Sequence, residues 1–327
     1  MESNSLVFGI KVEALSESYR SKRSALRRPK LRVAEWVTVC FFAYVALISP
    51  WFPRRPFLKT QPLLLLLAVA ILFLLVARAQ CIRSWAKQVS IVRDLLPIVT
   101  TLVAFKEMGL FQPLQFSHRY ESVWIHWDDL VLRHWHLRAV IEAWGSAVPS
   151  IFESFYFLVY LAGVFGVVTL YLVGCRKRVD GFLTLYVLGT LLAYSLFPYF
   201  PSQPPRIAFP QVDPPQVFTA MRGLNLWILE HGTIHSGVFP SAHVSSAFSA
   251  AWAMFFALPR RKVFGWAMLL YAVGVAIATV YGRYHYLADA LAGFGISVAA
   301  AALFQIGRLF PSRVSGASLW NRRLRED

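Results

Sequence analysis

Apolar runs close to the ~18–20 residues needed to cross a bilayer recur along this chain, and no other feature limits its fold as much. Eight such spans are the simplest reading, at roughly 34–50, 62–77, 91–108, 150–173, 181–200, 242–258, 263–281 and 286–307. Composition agrees: 57% of the 327 residues are hydrophobic and 15% are charged, against about a quarter charged in soluble domains. The fold expected is all-α, a polytopic membrane helix bundle. Residues 34–90 form an N-terminal transmembrane hairpin, and residues 91–307 form a six-helix core with outer loops at 109–149 and 201–241. The first run starts near residue 34 behind a long basic leader without a small-residue cleavage signal, so it is expected to be a retained span rather than a signal peptide.

Charge orients the bundle. Lys and Arg number 33 against 17 Asp and Glu, a net charge of +16. In a soluble chain that excess would suggest nucleic acid. Here the basic residues flank apolar runs, as the positive-inside bias predicts, and no nucleic-acid partner is expected. "RKR" at 176–178, "PRRK" at 259–262 and the stretch holding Arg78, Arg83, Lys87 and Arg93 all belong in the cytoplasm. They do so together only if the chain crosses between Arg93 and residue 150. Both termini, the basic tails 1–33 and 308–327, then lie inside, and the long loops lie outside. "PRRPFLK", after the first span, is a local exception. The expected location is the cell membrane.

Three cysteines, Cys40, Cys81 and Cys175, show no metal or CxxC spacing, so neither a disulfide nor zinc is expected. No cofactor is implied. In the first outer loop Trp124, Trp127, Val131 and Trp135 recur at spacings of three and four, the pattern of a helix lying among lipid headgroups. His126, Asp128, Asp129, His134 and His136 on that stretch match no standard metal site and are read as solvated polar residues. Glu153 and Asp180 are read as structural, and His231 and His235 have no assigned role.

Three polar clusters fall at the outer face, each suited to a phosphate group. In "PSAH" the free N–H groups of a helix's first turn, with the Ser241 hydroxyl, make an anion site. His243, within the first turn, would face that anion and can give a proton to a departing oxygen. Taken alone, the four residues more often describe an ordinary helix cap. His285 and Asp289, at i and i+4, share a helix face. The carboxylate can take one ring proton and leave the other nitrogen free to attack, or the two can form a structural pair. Ionisable side chains at a span are costly, which favours function. Arg206, in a proline framework, and Arg283 supply charge suited to bidentate phosphate binding, or to headgroup anchoring.

"PSAH", one intervening span and then an outer-face "H-x-x-x-D" together resemble the type 2 phosphatidic acid phosphatase superfamily. "FPSQPPR" and "YGRYHYLADALAG" are most similar to its inositol phosphorylceramide synthase branch. The likeness covers roughly residues 90–307 in layout, including "VRDLLP" at 92–97 and "HWDDL" at 126–130. It implies a nucleophilic histidine, His285, an orienting aspartate, Asp289, and a second histidine as acid and base, His243. Ser241 and Arg206 would hold phosphate. The superfamily's lysine seven residues before the arginine is Tyr199 here, and its arginine six before the nucleophile is Thr279; both losses resemble the synthase branch. Arg283 is read as replacing the missing charge. The expected activity is transfer of a phospho-headgroup from a membrane lipid to a polyol or lipid alcohol, with a lipid phosphate phosphatase or a lipid-binding or transport protein as alternatives.

Overall fold

A computed structural model describes residues 29–52 and 60–309 except 83, 114 and 235. The basic leader to residue 28, "PRRPFLK", Arg83, His235 and the tail from residue 310 lie outside the described residues. Among the described residues there is no strand, and seven helices are long and apolar enough to cross a membrane. This is a multi-pass integral membrane protein.

Three spans open the bundle: α1 (Val33–Ile48), α2 (Gln61–Ala79) and α3 (Ala86–Met108). Helix α3 is long and apolar enough to cross despite Lys106 and Glu107, which fall in its last turn. The charged residues of its "VRD" segment, Arg93 and Asp94, are buried within the bundle. Arg93 Nε donates to Glu35 Oε1 of α1 at 2.6 Å, and Asp94 accepts from Arg32 and Arg176. Charges inside a bundle persist only when paired in this way.

Two short helices follow, α4 (Glu121–Asp129) and α5 (Leu137–Glu142), with a wide π turn at Leu130–His134 between them. The Trp-bearing stretch is therefore two helices and not one. It breaks at His136, whose φ of 57° is left-handed. Trp135 is two-thirds exposed, whereas Trp124 stacks on Phe239 with centroids 4.8 Å apart.

The fourth span combines α6 (Ala147–Leu158) and α7 (Ala162–Leu172) through one 3-10 turn. Gly174, at φ 76°, ends it with two reverse hydrogen bonds, Gly174 N–H to Tyr171 O and Cys175 N–H to Leu170 O. That is a left-handed C-terminal cap, a position glycine fills without steric cost. Next come α8 (Val179–Leu196), a single turn α9 (Pro205–Ala208), α10 (Ala220–Gly232), α11 (Ala242–Ala257), α12 (Lys262–Tyr281) and α13 (Leu287–Leu309). Helix α10, capped by the Thr219 hydroxyl on Arg222 N–H at 3.1 Å, lies in the second outer loop, behind its proline-rich opening stretch.

Helix α11 differs from the eight-span expectation. Its 16 residues reach about 24 Å at 1.5 Å per residue, short of a ~30 Å hydrocarbon layer. It packs against α8, α12 and α13 and is buried on nearly every side. Its alanines and serines allow that approach, as small residues do between membrane helices. At Gly293 of α13 an added Cβ would stand 2.4 Å from the Ser241 carbonyl oxygen. Ser241 N–H donates to the Asp289 carbonyl across the same contact, at 2.9 Å. The start of α11 and the start of α13 are thereby locked together.

Candidate active site

Two short segments meet at that lock. The turn 282–286 joins α12 to α13, and the segment 236–241 leads into α11 through a cis Phe239–Pro240 bond. His285 stands between them and is almost fully buried. Its Nδ1 lies 3.0 Å from the Val238 carbonyl oxygen and 3.4 Å from Asp289 Oδ2. A carbonyl only accepts, so Nδ1 carries the hydrogen and Nε2 keeps its lone pair. Nε2 faces His243 Nδ1 at 3.1 Å. That contact requires a hydrogen on His243 Nδ1, so the second imidazole presents a proton where the first presents an electron pair.

The surroundings hold both rings in place. His243 is stacked by Tyr156 (centroids 4.9 Å apart) and met edge-on by Tyr160 (5.3 Å). Tyr284 stacks behind Tyr156 at 3.9 Å and donates its hydroxyl to Glu153 Oε2 at 2.5 Å. Glu153 also accepts from Arg222 (2.9 Å) and Asn225 (2.7 Å), which ties α10 to α6 beneath the site. Burial, with Arg206 nearby adding to it, pushes His285 down to about 3, so its imidazole is neutral at physiological pH.

Both histidines line a cavity of about 290 Å³ that runs between α3, α6, α8 and α10. Among the described residues its wall is mostly apolar and aromatic, with no carboxylate. Two cations line it, Arg206 and Lys106. Among the described residues no carboxylate pairs with Arg206; its guanidinium lies over the Tyr284 ring at 5.7 Å. An arginine kept in place by an aromatic face and left without a counter-ion is prepared for an anion from outside.

The structure brings His285, Asp289, His243 and Arg206 together and sets the other two candidates apart. Ser241 caps α11, with its Oγ accepting Val244 N–H at 3.3 Å, and lies just outside the cavity wall. Arg283 does not line the cavity. Its Nη1 donates to Asp128 Oδ2 at 2.6 Å, with both side chains buried. Asp128 is thus not the solvated headgroup residue expected. Burial raises it to about 6 against the opposing pull of Arg283 and the Leu287 N–H. Asp289 is also placed differently from a simple orienting role. Its Oδ2 accepts Tyr286 N–H at 2.8 Å, and the ring hydrogen of His285 is nearer to the Val238 carbonyl.

Sequence reasoning missed the Val238 carbonyl, the Tyr156, Tyr160 and Tyr284 enclosure, and Arg222. Backbone acceptors and stacked rings leave no spacing signal. Arg222 sits in the short helix that the proline-rich loop concealed. Three other histidines stand apart from the cavity: His126 and His231 bond their own helix backbones, and His134 lies 3.4 Å from Asp129 near solvent. No group of three or more His, Cys, Asp or Glu able to hold a metal ion occurs among the described residues.

With this geometry in hand, comparison with known proteins gives one match. A family model described as the PAP2 superfamily covers residues 123–303, more than half of the chain, including His243, His285, Asp289 and Arg206. No curated protein and no solved structure matches.

Proposed function

The chain belongs to the PAP2 superfamily, whose members are lipid phosphatases or phosphotransferases, and from that premise we propose a phosphotransferase that works through a phosphohistidine at His285. The observation that carries this reading is the order of atoms Val238 O, His285 Nδ1, His285 Nε2 and His243 Nδ1 on a cavity wall whose described residues include Arg206 and no acid. It supplies an electron pair, a proton and a cation around one point.

In the proposed reaction the donor phosphate enters beside Arg206, which offsets its negative charge. The 3.1 Å contact between the imidazoles leaves no space for phosphorus in line, so the donor parts the two rings as it binds. His285 Nε2 attacks phosphorus, and the bond from phosphorus to the lipid's alcohol oxygen breaks. His243 delivers its proton to that oxygen. Asp289, 3.4 Å from Nδ1, stabilises the positive imidazole that results. An acceptor hydroxyl then gives its proton to His243 and attacks phosphorus. The N–P bond breaks and His285 is regenerated.

The donor is a membrane phospholipid, supported by Ile98, Leu102, Phe105, Tyr194 and Phe197, which line the cavity from spanning helices. The acceptor is a polyol or lipid alcohol, as in the inositol phosphorylceramide synthase branch that the "FPSQPPR" and "YGRYHYLADALAG" segments resemble. Supporting this choice, Trp124, Phe200 and Phe239 form an aromatic cover beside the site, suited to restricting water. We place the site on the extracytoplasmic side of the cell membrane, because the basic turn at 176–178, at the other end of α8, belongs in the cytoplasm.

The test is mass spectrometry of lipids after incubating purified protein with phospholipid donors and a panel of polyols and lipid alcohols. Transferase activity appears as a new phosphodiester that depends on the added alcohol. Release of free phosphate or a phosphomonoester alone, at a rate no alcohol alters, makes the protein a phosphatase.

A further inference from the structure

The turn that carries His285 is fastened on both sides, and both fastenings end on one carboxylate outside the cavity. Asp128, on helix α4, is 1% exposed. Its Oδ2 accepts Arg283 Nη1 at 2.6 Å, and its Oδ1 accepts Leu287 N–H at 2.7 Å. These two residues stand two positions before and two positions after His285.

Arg283 adopts φ 61°, a left-handed conformation that an arginine keeps only when its surroundings hold it. Its carbonyl accepts Arg206 N–H at 3.2 Å. The imidazole and the Arg206 cation therefore depend on the same turn. The contacts His285 makes itself, to Val238 and Asp289, fix how the ring is rotated. Where its backbone stands is set by the turn, and the turn is clamped by Asp128.

We infer that Asp128 is a positioning residue for phosphotransfer: by bridging Arg283 and Leu287 it sets the distance from His285 Nε2 to phosphorus without touching substrate. The inference rests on the phosphotransferase reading above. It assigns Arg283 to this clamp and not to phosphate. In-line attack is sensitive to displacements of about 1 Å, which cost about 10²-fold in rate. A carboxylate that merely capped α13 would affect folding and leave the geometry of attack unchanged.

The experiment compares wild type with Asp128→Ala, Asp128→Asn, Arg283→Gln and the Asp128→Asn, Arg283→Gln double variant. Turnover is measured with whichever acceptor the wild type uses. Binding of orthovanadate, a five-coordinate mimic of the transferring phosphoryl group, is measured in parallel, with His285→Ala as the blank. Expected for Asp128→Ala is a fall in kcat of about 10²-fold with the lipid KM changed by less than about threefold. Vanadate affinity falls at least about tenfold, and thermal stability stays within the range of the active variants. The double variant, whose two amides can pair, recovers kcat and vanadate affinity beyond either single change.

Where Asp128→Ala does not fold, Asp128→Asn carries the test, because it keeps an oxygen for Leu287 N–H while turning an amide toward Arg283. A folded Asp128 variant with wild-type kcat and vanadate affinity overturns the inference. So does a parallel loss in the double variant with no recovery. If the wild type shows neither turnover nor His285-dependent vanadate binding, the phosphotransferase reading fails first and this inference with it.

Discussion

At the scale of single residues, the hydrogen on His285 Nδ1 belongs to the Val238 carbonyl more than to Asp289, and this changes what mutation should do. In a triad whose aspartate alone fixes the tautomer, amide substitution costs about 10⁴-fold. Here Asp289→Asn leaves Val238 in place and removes only the charge behind the imidazolium, so turnover should fall about 10²-fold. His285→Ala should abolish turnover, a loss of about 10⁴-fold or more. Steady-state assays on the two purified variants check this, and equal losses would mean that Asp289 fixes the tautomer after all. Burial of His285 has a second consequence. Its folded value of about 3 lies below the unfolded ~6.5, so between these values the unfolded chain binds more protons. The contribution is complete above pH 6.5 and is lost as pH falls toward 3. Thermal unfolding of wild type and His285→Gln should therefore diverge in acid, the wild type losing up to about 2 kcal/mol relative to the variant between pH 6.5 and 5. A constant difference would show that His285 is not held neutral.

Among the elements, the pair formed by α11 and α13 is where the sequence was both clearest and least complete. "PSAH" and "H-x-x-x-D" were legible because side chains needed for phosphate chemistry are out of place at the mouths of apolar helices. The bundle itself was legible because a bilayer demands long apolar runs. The short reach of α11 was not, since its apolar character comes from burial among helices and not from contact with lipid. Neither was the ion pair of Arg283 with Asp128, 155 residues apart, for which no local pattern exists. The helix at Ala220–Gly232 was hidden by the prolines that precede it. The contact at Gly293 follows from the same packing. Gly293→Ala adds a Cβ that would stand 2.4 Å from a backbone carbonyl, an atom that cannot swing aside. It should cost about 1–3 kcal/mol by forcing α13 away from α11, and turnover should fall because Ser241 and Asp289 separate. Gly295→Ala, on the same helix with open space around it, is the control. Equal behaviour of the two variants in thermal unfolding and turnover would refute the close approach as a determinant of the site.

For the whole molecule, the proposal places a phosphate site at the headgroup level with an apolar cavity beside it, which suits a substrate that is itself amphipathic. The orientation is tested in a chain whose Cys40, Cys81 and Cys175 are replaced by serine. Gln211→Cys should react with an impermeant thiol reagent on intact cells, and Lys177→Cys should react only after permeabilisation; the opposite pattern would put the site in the cytoplasm. The central claim is that transfer proceeds through a covalent bond to His285, and one measurement bears on it most directly. Protein mixed with a phospholipid donor labelled in the phosphate is quenched at alkaline pH, where phosphohistidine survives, and the modified peptide is located by mass spectrometry. The account predicts label on the peptide holding His285, none in His285→Ala, and its discharge into a phosphodiester when the acceptor alcohol is added before quenching. Turnover of wild-type protein without label on that peptide, or label that persists in His285→Ala, would contradict it.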